Sequence, residues 1–243
     1  MGHKSYTFDF LATVSAQLVT DLEALPVSLL DAGTLTALAQ YQNANNARQG
    51  VYLLHLDSVP VYLGKADNVA DRLGQHLRKL SGRKNLTLTD VGYKALLLDK
   101  SMSTAANESV LIAIFRQSHA AMWNGKGFGP KDPGKERDTT RPSFFDRTYP
   151  IDDAWLVDFP DDTTTAAHLM DAIKQAVPYT FRFDLKNAGD TVVNLTGVPR
   201  TAKALLCATV RALGAGWKGA VLAYGMVLYR TDKQYRFGEE LLP

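Results

Sequence analysis

Seven side chains between residues 52 and 124 have the types and spacing that phosphodiester hydrolysis needs: Tyr52, Tyr62, Lys65, Arg72, His76, Glu108 and Asn124. That chemistry requires an activated water, a cation on the phosphoryl oxygens and help for the leaving oxygen. An arginine holds a phosphate bidentately, and a histidine accepts or relays a proton near neutral pH. A single carboxylate suits a hard divalent ion such as Mg²⁺. A phenol has an ordinary pKa of about 10, so a tyrosine serves as a base only beside cations. Each residue also has a plainer use. A strand tyrosine packs, Arg72 and His76 can share an exposed helix face, and Glu108 at a helix start favours the helix dipole. Asn124 can anchor backbone or bind phosphate.

The elements around these residues decide whether they meet. Residues 50–56, Gly-Val-Tyr-Leu-Leu-His-Leu, read as a strand, residues 57–58 as a short turn, and residues 59–63 as a second strand that Gly64 ends. This hairpin puts Tyr52 and Tyr62 on neighbouring strands. Asp67 or Asn68 caps a helix running to about Leu80, on which Arg72 and His76, four apart, share one face. Residues 81–85 form a basic loop. A third strand covers 91–98, and a second helix covers 105–117, with Asn107 as its cap and Glu108 in its first turn. The order strand, strand, helix, strand, helix makes a compact α/β core of residues 50–124.

Flanking this core, residues 6–20 are ambiguous, residues 21–40 look helical with Pro26 dividing them, and residues 41–48 read as a polar loop. Residues 124–154 lack periodicity and are rich in Gly, Pro, Lys and Arg. Trp123, Phe128, Phe144, Phe145 and Trp155 argue that this stretch is anchored, because linkers seldom carry such aromatics. Helical patterns return over 163–177 and 201–213, with strands over 179–185 and 220–230. We expect one elaborated domain over 1–243, in which 125–155 is a loop region and 156–243 an α/β extension.

Composition narrows the class. The chain has 243 residues, 46% hydrophobic and 21% charged, which suits a folded globular protein. Its formal net charge is +2, but residues 65–84 hold six Lys or Arg against two Asp. A local net +4 makes a basic face that either meets a polyanion or is simply solvated. The lone Cys207, in an apolar Ala-Leu-Leu-Cys-Ala run, excludes an internal disulfide and cysteine-based zinc. No long apolar run or cleavable leader is visible, so a prokaryotic cytoplasmic location without membrane association is expected.

Gly50-Val51-Tyr52, then Tyr62-Leu63-Gly64, Arg72, Glu108 and Asn124 resemble the GIY-YIG nucleases, with Ile replaced by Val51 and Leu63. Lys65-Ala66 after Gly64, His76 four positions after Arg72, Gly127-Phe128-Gly129, Asp132-Pro133-Gly134, Arg137, the 143–146 segment and Trp155 are similar to the type II restriction endonuclease branch of that family. The resemblance covers roughly residues 50–155. It implies a small mostly antiparallel sheet flanked by helices, elaborated at both ends. It also implies Tyr52 as general base, Tyr62 beside it, Arg72 on the scissile phosphate, Glu108 as the ligand of a single Mg²⁺ (Mn²⁺ as substitute), and Asn124 in support. In the restriction branch the histidine and the lysine, here His76 and Lys65, lie close to the chemistry, and the glycine-rich insertion binds DNA.

The activity so implied is site-specific cleavage of double-stranded DNA. A palindromic site needs two centres related by a two-fold axis, hence a homodimer. A cognate methyltransferase would be a functional partner. Lys126, Lys131, Lys135, Arg137, Arg141, Arg147, Arg78 and Lys79 are the expected DNA contacts. The competing readings are another GIY-YIG role, in repair, homing or mobile-element cleavage, and a non-catalytic DNA-binding domain.

Overall fold

The computed structural model describes residues 3–5, 9–98, 111–113, 122–129 and 134–243, with the side chain of Leu11 excepted. Their packing divides the chain into two compact units, one within 1–77 and 87–126 and the other within 78–86 and 127–243.

The first unit is built on a four-stranded antiparallel sheet. Its elements are α1 (Phe10–Ala24), β1 (Ser28–Leu29), α2 (Ala32–Ala44), β2 (Gly50–Leu56), β3 (Val59–Ala66), α3 (Val69–Ser81) and β4 (Val91–Leu97), and the strand order is β1-β4-β2-β3. The boundary between units falls inside α3, after Leu77. Asp57 and Ser58 join β2 to β3 with φ values of 50° and 67°. Two successive positive φ angles make the hairpin turn whose twist matches the strands. Val51, Leu53 and Leu63 bury one face of the hairpin against Leu18 and Leu22 of α1, together with Leu98, Leu111 and Met122.

Residues 10–20, ambiguous by pattern, are helical and continuous with 21–24, because the apolar positions of α1 close this face. The helical reading of 21–40 is corrected by β1, which pairs Ser28 with Tyr93 and Leu29 with Gly92. The chain after Pro26 is extended, and α2 starts only at Ala32. The polar loop expected from Tyr41 is corrected too, because α2 continues to Ala44. Buried Gln42 explains this extension. Its amide donates to the Arg48 carbonyl at 2.6 Å and accepts from Ala70 N at 3.3 Å. It thereby satisfies one of the unpaired N–H groups that every helix start leaves, here that of α3.

The second unit contains α4 (Phe144–Thr148), β5 (Thr163–Thr165), α5 (Ala166–Ala176), β6 (Thr180–Asp184), β7 (Val192–Asn194), α6 (Ala202–Leu213), β8 (Trp217–Leu222), β9 (Gly225–Arg230) and β10 (Gly238–Leu241). Its larger sheet has the order β10-β8-β9-β6, with β6 parallel to β9. The single strand expected over 220–230 is two strands, since Ala223 and Tyr224 turn the chain between β8 and β9. Leu169, Met170 and Ile173 of α5 and Leu205, Leu206 and Val210 of α6 cover one sheet face, through Phe181, Met226 and Leu228. Cys207 is half-buried within this packing.

The aperiodic stretch is held from inside. Phe128 and Phe145 are fully buried with ring centroids 4.8 Å apart, whereas Phe144 is exposed. Gly127 has φ of 102°, and a Cβ there would lie 2.0 Å from Ser143 Oγ, so only glycine fits.

Candidate active site

The hairpin register pairs Tyr52 with Gly64 and Leu54 with Tyr62. Both tyrosines therefore project from the same face, diagonally opposed, because side chains alternate along a strand. Their ring centroids are 6.2 Å apart. On α3, His76 lies 5.5 Å from Tyr52 and 5.4 Å from Tyr62, centroid to centroid, and closes a triangle of rings. The Tyr52 hydroxyl is 2.8 Å from His76 Nε2, with both residues buried.

Arg72 lies one turn earlier on α3 and only part-buried. Burial works against its charge, but the hydrogen bond and charge attraction of Tyr52, then of Tyr62, hold its pKa above the ordinary guanidinium value. Gln75 accepts a hydrogen bond from its Nη1 at 2.8 Å. Sequence reasoning missed Gln75, although its position three residues after Arg72 was a usable signal.

Gly64 explains why the tyrosine can sit this way. A Cβ there would lie 2.3 Å from the Tyr52 hydroxyl and 2.4 Å from its Cζ. We predict that Gly64→Ala displaces the phenol from His76 and cuts turnover at least tenfold while DNA affinity stays near wild type. Single-turnover cleavage beside a filter-binding assay checks this, and wild-type cleavage would refute it.

Asn124 serves the backbone. Its Oδ1 accepts from Leu63 N at 3.0 Å and its Nδ2 donates to Leu63 O at 2.8 Å. The Trp123 N–H bonds the Val61 carbonyl. Because β3 is an edge strand, this short segment occupies part of its exposed ladder. The side-chain amide of Asn124 imitates a neighbouring strand.

Lys65 pairs with Val51, so alternation puts it on the sheet face opposite to Tyr52. The structure thus brings Tyr52, Tyr62, Arg72 and His76 together, sets Asn124 on the Leu63 backbone of the same hairpin, and places Lys65 on the opposite sheet face. Glu108 and Lys131 lie outside the described residues, as does most of the helix expected over 105–117.

The expected DNA contacts separate into two groups. Arg78 donates to the carbonyls of Gln175 and Val177 at 3.3 and 3.2 Å. The ammonium of Lys79 lies 4.8 Å from the Phe128 ring centre, and that of Lys135 lies 4.6 Å from that of Tyr229. Arg137 pairs with buried Asp146 and stacks 3.9 Å from the Tyr224 centroid. These four cations are engaged within the second unit. Arg141 and Arg147 are exposed, and Lys126 is half-buried.

Sequence reasoning also missed Arg83, which its basic run disguised. Its guanidinium bonds Asp146 at 3.1 Å, the Tyr149 carbonyl at 2.9 Å and the Ala223 carbonyl at 3.2 Å. Burial pulls its pKa down, opposed by the Asp146 carboxylate.

Among the described residues no group of three His, Cys, Asp or Glu side chains could hold a metal ion. No helix there is long and apolar enough to cross a membrane. Residues 38–177, more than half of the chain, match the family model described as the Eco29kI GIY-YIG domain. No curated protein matches the chain significantly.

Proposed function

Because the chain belongs to the Eco29kI family of GIY-YIG restriction endonucleases, we propose that it is a type II enzyme that hydrolyses both strands of DNA at a specific sequence. The observation that carries the mechanism is the 2.8 Å contact between the Tyr52 hydroxyl and His76 Nε2, with Arg72 beside the same phenol. In the tautomer that leaves Nε2 unprotonated, the phenol donates to the imidazole. A water proton passes to the Tyr52 oxygen as the phenol proton moves to His76. A cation beside a phenol stabilises a developing phenolate, so Arg72 assists that transfer. Its guanidinium, part-exposed, is also the group placed to take the charge growing on the phosphoryl oxygens. Tyr62 and Gly64 hold the phenol in place from either side.

A metal fits this donor set only as a hard ion with few protein ligands. His76 spends its Nε2 on Tyr52, which leaves carboxylate chemistry, and Mg²⁺ binds through one or two carboxylates and keeps several waters. Glu108 is the residue we propose for it, with Mn²⁺ as a substitute. A bound Mg²⁺ would supply Lewis-acid stabilisation of the phosphate and leaving oxygen. One such centre per chain and a palindromic target call for a homodimer on DNA, with a cognate methyltransferase protecting the same sequence. Arg141 and Arg147, exposed, are the contacts we propose for DNA in the 125–155 region, together with Lys126.

Incubation with Mg²⁺ and unmethylated duplex DNA tests this reading. The expected result is discrete fragments sharing one terminal sequence, and structure-dependent nicks or intact DNA would overturn it. Glu108→Ala is expected to abolish cleavage while DNA binding in Ca²⁺ persists. Cleavage by that variant at the parental rate would remove Glu108 from the mechanism.

A further inference from the structure

The sheet of the second unit has two unlike faces. Phe181, Met226 and Leu228 pack under α5 and α6. The alternate residues, Val227 and Tyr229, join Ala220, Leu222, Tyr224 and Tyr235 in a separate cluster on the other face. On that face lies a cavity of about 230 Å³ lined by Lys135, Asp138, Asp184, Lys186, Tyr229, Arg230, Thr231, Lys233 and Tyr235.

Its charges are unevenly compensated. Asp138 is paired with Arg182 and accepts from the Tyr224 hydroxyl at 2.5 Å. Asp184 faces Lys135 at 4.0 Å. Lys186, Arg230 and Lys233 are exposed and form no ion pair among the described residues. The wall also holds a buried donor. Tyr229 is 9% exposed, and the proton of its buried hydroxyl has no acceptor. Arg182 can only donate to that oxygen, and the carboxylates of Asp138 and Asp184 also act on the phenol. Burial raises the Tyr229 pKa, which keeps that proton in place. A buried O–H donor without an acceptor, on a wall that carries four cations against two carboxylates, favours an oxyanion. The volume corresponds to roughly eight waters at about 30 Å³ each, enough for a phosphate group and part of what it is esterified to.

We propose that this cavity is a phosphate-binding site in which Lys186, Arg230, Lys233 and the Tyr229 hydroxyl hold one phosphate group. The phosphate is either that of bound DNA or that of a free nucleotide, and assigning it to DNA rests on the nuclease reading. A DNA backbone phosphate held here would make the second unit part of the substrate clamp, fixing the duplex without reading its bases.

The test uses the full-length protein in EDTA, so that no DNA is cut. Inorganic phosphate is titrated by calorimetry, and short duplex DNA is titrated over a range of salt. Wild type should show one phosphate site. Tyr229→Phe should weaken it about tenfold, the loss expected for one hydrogen bond to a charged group. The triple variant Lys186→Ala, Arg230→Ala, Lys233→Ala should abolish it, with an unchanged melting curve because all three side chains are exposed. If the triple variant also loses about one unit from the log–log salt slope of duplex binding, the phosphate is that of DNA. If phosphate binding is lost while the slope is unchanged, the ligand is a free phosphate compound. Failure of phosphate to bind wild type, or equal binding to both variants, overturns the proposal. Cleavage by the wild type in Mg²⁺ tests the nuclease reading separately, and the phosphate titration does not depend on its outcome.

Discussion

Tyr52→Phe will bind duplex DNA as the parent does and cut it about 100- to 10,000-fold more slowly, the range for losing a positioned general base. At about 1.36 kcal/mol per decade, that is roughly 3–5 kcal/mol of transition-state stabilisation. The substitution is well suited to the question because it deletes one oxygen and keeps the ring. The Phe ring can retain the packing against Tyr62 and His76 seen at 6.2 and 5.5 Å. What disappears is the 2.8 Å bond to His76 Nε2. A buried imidazole nitrogen left without that partner costs about 1–3 kcal/mol of stability. The variant should therefore remain folded at working temperature while being nearly inert. Single-turnover cleavage in Mg²⁺, a binding assay in Ca²⁺ and a melting curve separate the three effects. Cleavage within a few-fold of wild type would remove Tyr52 from the proton path. A binding defect of the same size as the rate defect would recast it as a packing residue.

The second large effect is on stability. Asp146→Ala should destabilise the protein by about 3–5 kcal/mol, the usual result of removing one partner of a buried ion pair. Asp146 has a side-chain exposure of 1% and faces Arg83, at 3%, and Arg137, at 23%. It also accepts from Ser143 Oγ at 2.6 Å. Replacing the carboxylate with a methyl group leaves the Arg83 cation in a low-dielectric site with two carbonyls and the Phe145 ring but no opposite charge. Whole proteins are stable by about 5–15 kcal/mol, so this loss is a large share. The melting temperature should fall by on the order of 10 °C. Arg147→Ala, one residue away but exposed, should change stability by no more than about 0.5 kcal/mol. Equal melting curves for Asp146→Ala and wild type would refute the account of this network. The same network explains why Arg137 is a poor choice for base recognition, since its guanidinium already serves Asp146 and the Tyr224 ring.

Several features of the first unit were open to reading from residue order alone. The apolar, β-prone run Gly50–Leu56 and the turn at Asp57 and Ser58 point to a hairpin, and a hairpin makes Tyr52 and Tyr62 neighbours. The spacing of Arg72 and His76 puts both on one face of a helix, because 3.6 residues per turn dictates it. Those periodicities are local, so a single chain displays them, and together with the residue types they identify the family.

Tertiary structure decided the rest. Which nitrogen meets which hydroxyl in the Tyr52 and His76 pair depends on how a helix lies on a sheet, and no local pattern encodes that. Gly64 looked like the end of a strand and is instead the space that the Tyr52 ring occupies. Asn124 offered either backbone or phosphate chemistry, and its amide makes two hydrogen bonds to the Leu63 backbone on the edge of β3. Most of all, a lysine or arginine in a sequence carries charge but no address. Arg83 stands in a basic run, yet its partners lie 63 and 140 residues away at Asp146 and Ala223. Burial and pairing are long-range properties, and they separate a cation held by the protein from one that stands in solvent. So the sequence by itself determined that Tyr52 and Tyr62 share a hairpin and that Arg72 and His76 share a helix face, while only the folded chain decided which of its many basic residues are committed to partners within the protein.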